Sequence, residues 1–393
     1  MDDVKPTPRL PRLLVIAQLP PPLHGAAVVS SMAISSPHLH AAFTVDVIPV
    51  RMAENLEQLR HFSLKKIMRS LLLYVTVARR LITHLRPSLI YLTLTPRGFG
   101  FFRDVGLVMW FRAFRIPHAF HMHGRGVKLQ STRSILYRAL YRFVFAEARV
   151  IVMSERLYAD VARFVSRERT YVVPNGIADY PSNQEIGNLL SDRQQNSVPT
   201  LLFLSSMLLS KGPLVFLEAL QLLASRNLPF NAVFAGSWRG SITPDYFNAR
   251  VMAAGLSNCV RHVGLVHSDN KRQLFRDADI FVLPTDYENE AFPLVVLEAY
   301  AYGLPAVTSN VAGLPDIVLE DQTGFLIPPN DTRQLADKLQ RLILDPALRI
   351  RLGKEARQHF EARYTSDEFG RNLSSSLQLI LSNVPTTLHN TSL

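Results

Sequence analysis

Short unbroken apolar runs alternate along the chain with longer stretches in which apolar residues recur every three or four positions. RLLVIAQLPPPLHGAAVVSSMA predicts a strand at 12–18, a Pro-rich turn, Gly25 and a helix of small residues. LIYLTL (89–94), HAFHMHG (118–124), ARVIVMS (148–154) and RTYVVPNG (169–176) continue the strands of the first half. TLLFLSSMLLSKGPLVFLEALQLLA opens the second half with a strand at 200–205, a loop ending at Lys211-Gly212 and a helix near 213–225. FNAVFAG (230–236), VRHVGL (260–265), ADIFVLP (278–284) and PAVTS (305–309) follow. Runs rich in Val, Ile and Phe without polar alternation suit strands covered on both faces, as in parallel sheets. The pattern therefore predicts an α/β protein with two doubly wound, Rossmann-like domains facing a central cleft. The expected boundaries are 1–180 for the first domain, 181–199 for a polar linker, 200–370 for the second domain, and 371–393 for a terminal helix and tail.

Charge changes this picture in one respect. Residues 1–180 hold 25 Lys+Arg against 11 Asp+Glu, whereas residues 181–393 hold 18 against 21, so the basic object is the first half. A basic surface attracts nucleic acid, anionic lipid or a phosphorylated substrate, and an ordinary solvated surface is the plain alternative. Nucleic acid is disfavoured, since no fold signature for it accompanies the charge. The single cysteine, Cys259, excludes an internal disulfide and a cysteine-based zinc site, and it suits a reducing compartment. The opening segment is acidic and proline-broken, unlike a secretory leader, and the longest apolar runs, such as LLLYVTVA, are too short to span a bilayer. A cytoplasmic location is expected.

The stretch TDYENEAFPLVVLEAYAYG (285–303) is where chemistry enters. It follows the buried strand ADIFVLP, so its first residues form a loop at a strand's carboxyl end, where open α/β sheets bind ligands. Pro293 suits the first turn of a helix that ends at Gly303-Leu304-Pro305. The amides of Leu294 and Val295 would start that helix unpaired and ready for an anion. Glu290 sits in the loop and Glu298 eight residues later, inside an otherwise apolar helix. A carboxylate there can accept two hydroxyl donors, as a ribose offers. The bland reading makes Glu290 a helix-terminal charge and Glu298 a paired structural acid.

EAFPLVVLEA, followed by AYGLPAV and AGLPDIV, resembles the E-x7-E signature of the family 4 retaining glycosyltransferases, which have the GT-B fold. The likeness runs from RLLVIAQLPPPLHG through VVPNG, KG, FAG, HVGLV and ADIFVLP to TGFLIPPND, nearly the whole chain. The resemblance implies that Glu290 contacts hydroxyls of a donor sugar and that Glu298 holds the nucleotide ribose. It implies that main-chain amides at Phe292, Leu294 and Val295 bind sugar and diphosphate, with Lys211 as the diphosphate cation. A lysine beside a glycine turn at a helix start is a sensible phosphate hook in its own right. His123 matches a histidine beside the donor sugar, and Gly25 a glycine near the diphosphate. Strand alternation puts His121 and His123 on one side of a strand end. A metal held by that pair lacks a nearby cysteine or acidic third ligand, and an ordinary core or surface histidine is the other alternative.

Four departures blur the donor. Ser205-Ser206 stands where Gly-Arg is common, leaving Ser206 at the diphosphate in place of a second cation, with Arg239 as a candidate substitute. Pro293 replaces a common glycine, the opening loop has one glycine rather than two, and Asp316 stands for a usual glutamate.

The resemblance implies a retaining, metal-independent transfer of a hexose-type sugar from a nucleotide-diphosphate sugar to a glycan or lipid-linked glycan, in cell-surface polysaccharide or lipopolysaccharide biosynthesis. No cofactor is expected. Base choice would fall near Leu265 to His267. Residues 60–87 place Arg60, Lys65, Lys66, Arg69, Arg79, Arg80 and Arg86 among apolar residues, and 97–117 add Phe99, Phe101, Phe102, Trp110, Phe111 and Phe114. Both segments suit either an anionic membrane surface or ordinary helices packed on the sheet. A sugar-nucleotide epimerase and a non-catalytic peripheral membrane protein on the same fold are the alternatives.

Overall fold

The computed structural model describes residues 9–21, 25–52, 63–82, 86–178 and 180–383. They form two compact units, the first running to Asn175 and resuming at Ser366, the second spanning Gly176–Thr365. Each is a six-stranded parallel sheet with helices, a Rossmann-like domain.

The first sheet contains β1 (Arg12–Ala17), β2 (Thr44–Pro49), β3 (Leu89–Leu94), β4 (His118–Met122), β5 (Arg149–Val152) and β6 (Thr170–Val172), in the order β2-β1-β3-β4-β5-β6. The second contains β7 (Thr200–Leu204), β8 (Asn231–Ala235), β9 (Val260–His262), β10 (Ile280–Leu283), β11 (Ala306–Ser309) and β12 (Gly324–Ile327), in the order β12-β11-β10-β7-β8-β9. Central strands bury both faces, as their unbroken apolar runs require; β3 buries all six residues. The edge strand β2, TVDVIP, is mostly half-exposed and alternating, and the sequence pattern missed it. In the second sheet the strand order reverses between β7 and β10, so the loops after these two strands flank the topological switch point.

Two expected boundaries are corrected. Most of the 181–199 linker is a helix, Asn183–Gln195, packed into the second unit. Buried arginines hold it there. Arg193 donates to the carbonyls of Tyr302 and Phe275, and Arg349 donates to those of Leu342, Arg193 and Asn196. Polar composition hid a segment whose Ile186 and Leu190 are buried, with Leu189 packed half-buried against them. The terminal helix begins at Ser366, not 371, and belongs to the first unit. Phe369, Leu373, Leu377 and Ile380 form its buried stripe, His38 pairs with Asp367 at 2.8 Å, and Ser374 donates to the His38 carbonyl. The expected tail at 384–393 lies outside the described residues.

Arg349 and Asp279 are both 1% exposed, with Nε and Oδ1 4.0 Å apart, and Asp279 also accepts from Asn196 and the Thr200 amide. Removing one partner of a buried pair leaves an uncompensated charge. Arg349→Met should therefore lower the stability of the second unit by about 3–5 kcal/mol. Urea unfolding checks this as a drop in midpoint at unchanged slope.

Candidate active site

The loops after β7, β8 and β10 meet because two glycines let backbones touch. Gly212 has φ +82, and a Cβ there would fall 2.1 Å from the Pro284 carbonyl oxygen at the end of β10. Gly236, at φ +147 after β8, would place a Cβ 1.8 Å from the Ser205 carbonyl oxygen. Only glycine permits either approach. Lys211, immediately before Gly212, is thereby delivered to the loop that carries Glu290. Pro213 then starts the helix Pro213–Ser225, where its missing N–H costs nothing.

Lys211 Nζ lies 2.6 Å from Glu290 Oε2, with side-chain exposures of only 15% and 8%. The Thr285 hydroxyl lies 3.3 Å from the same oxygen, and the ammonium is 4.4 Å from the centre of the Tyr287 ring. Asp286 donates its amide to the Ser210 carbonyl, which ties the two loops together. Thr285 and Tyr287 lie inside the stretch that drew attention to Glu290, yet their part in holding the pair was not anticipated.

Pro293 is the residue before the first helical turn rather than within it, and the helix runs Leu294–Ala301. The Leu294 and Val295 amides, at the first two positions of that helix, have no carbonyl a turn earlier to bond. The Phe292 side chain is buried edge-on against Tyr364, which leaves its main chain as the part able to face a ligand. Glu298 is half-buried, and its Oε1 sits 2.5 Å from Lys271 Nζ. Sequence reading missed Lys271, because its helix, Ser268–Asp277, reaches Glu298 only through the tertiary fold. Glu298 in this structure is a paired acid in an apolar helix.

Ser206 is half-buried just past β7, and its carbonyl accepts from the Leu208 amide. Arg239 has a place: Trp238 bridges to Met207, and the Arg239 amide donates to the Met207 carbonyl. A cation thus stands one residue past the bridge to the Ser206 loop. Leu265 is exposed on the loop after β9. Asp316 lies in a short helical turn and accepts from the Tyr364 hydroxyl through its carbonyl.

In the first unit, Gly25 begins the helix Gly25–Ile34 that follows β1, and it is exposed. His121 and His123 lie on one side of the end of β4, as alternation requires, with ring centres 4.1 Å apart. His121 is fully buried, and its Nδ1 is 2.7 Å from the Tyr91 hydroxyl oxygen. Burial first, and the neighbouring His123 second, hold its pKa well below the ordinary 6.5. Among the described residues no group of three or more His, Cys, Asp or Glu could hold a metal ion, and no helix is long and apolar enough to cross a membrane.

A family model for glycosyl transferases group 1 matches residues 191–359, and one for a glycosyl transferase 4-like domain matches residues 14–176. A D-inositol 3-phosphate glycosyltransferase of Arthrobacter sp. is 34% identical over 173 residues, which cover 42% of this chain and 40% of the relative. The match thus spans less than half of that relative's length. The capsular polysaccharide biosynthesis glycosyltransferase CapM of Staphylococcus aureus is 24% identical over 65% of this chain and 69% of its own. Among solved structures, Anabaena HepE in complex with UDP and glucose superposes with a TM-score of 0.67 at 18% identity, covering 93% of this chain and 99% of HepE. WaaG, described as a glycosyltransferase of lipopolysaccharide biosynthesis, superposes with a TM-score of 0.64 at 15% identity, covering 94% and 99%. Both are likenesses of fold.

A histidine with a depressed pKa is neutral when folded, and the unfolded chain binds the proton more readily. His121 therefore contributes stability that is fully present above its ordinary 6.5 and is lost as pH falls through the folded value. Ring nitrogen chemical shifts should show His121 neutral at about pH 5.5. An ordinary titration midpoint would contradict the burial argument.

Proposed function

Because the chain belongs to the GT-B glycosyltransferases of the family 4 type, we propose that it is a retaining, metal-independent hexosyltransferase. On this reading it takes a nucleotide-diphosphate sugar as donor and a glycan or lipid-linked glycan as acceptor, in cell-surface polysaccharide biosynthesis. Its place would be cytoplasmic, with peripheral attachment where the acceptor is membrane-borne. The observation that carries the reading is the Lys211–Glu290 pair at the β7/β10 switch point, beside the amide-bearing start of the Leu294–Ala301 helix. Support comes from HepE, whose structure contains UDP and glucose, and from CapM and WaaG, whose descriptions name capsular polysaccharide and lipopolysaccharide.

The chemistry follows from charge. In the transfer, the bond from the anomeric carbon to the diphosphate oxygen breaks, and its electron pair leaves with the diphosphate. The acceptor hydroxyl oxygen bonds that carbon from the same face, and its proton passes to the departing phosphate. Negative charge thus grows on the diphosphate as positive charge grows on the sugar ring. Lys211, the Leu294 and Val295 amides and the helix dipole would stabilise the first, with Ser206 beside the phosphates, and the role of Gly25 rests on the resemblance alone. Glu290, anionic and fixed, would accept sugar hydroxyls and favour the second. Arg239 would supply the second cation that Ser206 does not. Glu298 would accept the ribose hydroxyls, since a carboxylate can take about four hydrogen bonds. The roles of His123 and Phe292 toward the sugar rest on the resemblance.

Slow donor hydrolysis without acceptor tests the reading directly. Proton NMR of freshly released sugar should show the donor's own anomer, at an unchanged rate with chelator present. Glu290→Gln should lower kcat about 100-fold, or about 2.7 kcal/mol of barrier. The opposite anomer, or a rate abolished by chelation, would overturn the retaining or metal-independent parts. An epimerised nucleotide sugar would replace the transferase with an epimerase.

A further inference from the structure

The helix Leu64–Ile82 in the first unit is apolar on two opposite faces. One is spent: Leu73, Val77 and Leu81 are buried against the domain. The helix also packs on its neighbour Gly98–Ala113, where the Tyr74 hydroxyl donates to the Arg103 carbonyl. The other face should be polar in a solvated helix. Instead Leu64, Met68, Leu71, Leu72, Val75 and Ile82 are 51–80% exposed. At 100° per residue, those positions fall within one continuous arc opposite the buried stripe. Single exposed apolar residues need no explanation, but a contiguous stripe marks an interaction surface.

The charges beside the stripe select its occupant. No acidic residue occurs from 64 to 82, while Lys65 is exposed at the edge of the stripe and Arg79 within its arc. A second copy docked on the same face would bring two basic rims together, which disfavours pairing. A bilayer with anionic headgroups satisfies both features, burying the stripe at the headgroup boundary and attracting the cations. The expected Arg60 lies outside the described residues and is not needed. Two aromatics expected to contribute, Phe101 and Phe111, are instead fully buried in the first unit; among their neighbours, Met109 is exposed.

We propose that the outward face of the Leu64–Ile82 helix seats the first unit on an anionic membrane surface. This attachment is independent of the transfer reaction and of the donor residues in the second unit.

The full chain should co-sediment with vesicles containing roughly one-third phosphatidylglycerol in phosphatidylcholine, and far less with phosphatidylcholine alone. Leu71→Gln with Val75→Gln should weaken binding at least about tenfold, since both positions are exposed and the loss is of apolar insertion. Lys65→Glu with Arg79→Glu should abolish the difference between the two vesicle types. Far-UV circular dichroism and nucleotide binding should be unchanged in both, which separates this test from the donor reading. Absence of wild-type binding, or wild-type-like binding by both variants, would overturn the proposal. So would a wild-type dimer that Leu71→Gln with Val75→Gln converts to monomer without affecting vesicle binding.

Discussion

An ammonium and a carboxylate, both largely withdrawn from water and 2.6 Å apart, fix the character of the second unit. Desolvating two charges costs several kcal/mol per ion, and their attraction recovers that only where geometry is good and other partners help. Here Thr285 and the Tyr287 ring help. A well-packed apolar pair would often be as stable, so such a pair is poorly explained by stability alone. A preorganised site would explain it: each ion neutralises the other, and a ligand with phosphate and hydroxyl groups would divide them. The low dielectric that makes the pair costly is what would make each ion strong toward that ligand.

Strand order and two glycines create the place for it. The switch between β7 and β10 opens a gap at the carboxyl ends of the strands, and Gly212 and Gly236 let three strand-end loops press backbone on backbone around it. Two helix starts, at Pro213 and Leu294, follow directly from two of those loops. Lys271 adds a second cation–carboxylate pair a turn deeper, at Glu298. The site is thus made from main chain and charge, and it uses few large side chains. That suits recognition of a diphosphate, whose oxygens are satisfied by amides and cations whatever sugar is attached.

Much of this was legible in the sequence. Buried parallel strands are short apolar runs, so ten of the twelve could be marked. The two not marked were β2, whose exposed alternating edge weakens the pattern, and β12, four residues beginning at a glycine. Glu298 stood out as a charge inside an apolar helix and Glu290 by its place in the strand-end loop eight residues before it, while Lys211 came from the resemblance and its position beside a glycine at a helix start. What stayed hidden depends on contacts between distant positions. Lys271 lies 2.5 Å from Glu298 but on a different helix. Arg193 and Arg349 turn a polar segment into a packed helix through carbonyls that no local pattern reveals. A terminal helix was expected, but nothing local says which unit receives it.

The central claim is that the Glu298 helix start and the Lys211–Glu290 pair bind a nucleotide-diphosphate sugar. The most direct measurement is thermal unfolding of wild type and Glu298→Ala with UDP-, GDP- and ADP-sugars. A ligand at a hundred times its Kd adds about 2.7 kcal/mol to the folded state, well within detection. One nucleotide class should raise the midpoint of wild type and leave the variant nearly unmoved. Equal stabilisation of both proteins would remove Glu298 from the ribose, and no stabilisation of wild type by any donor would contradict the account.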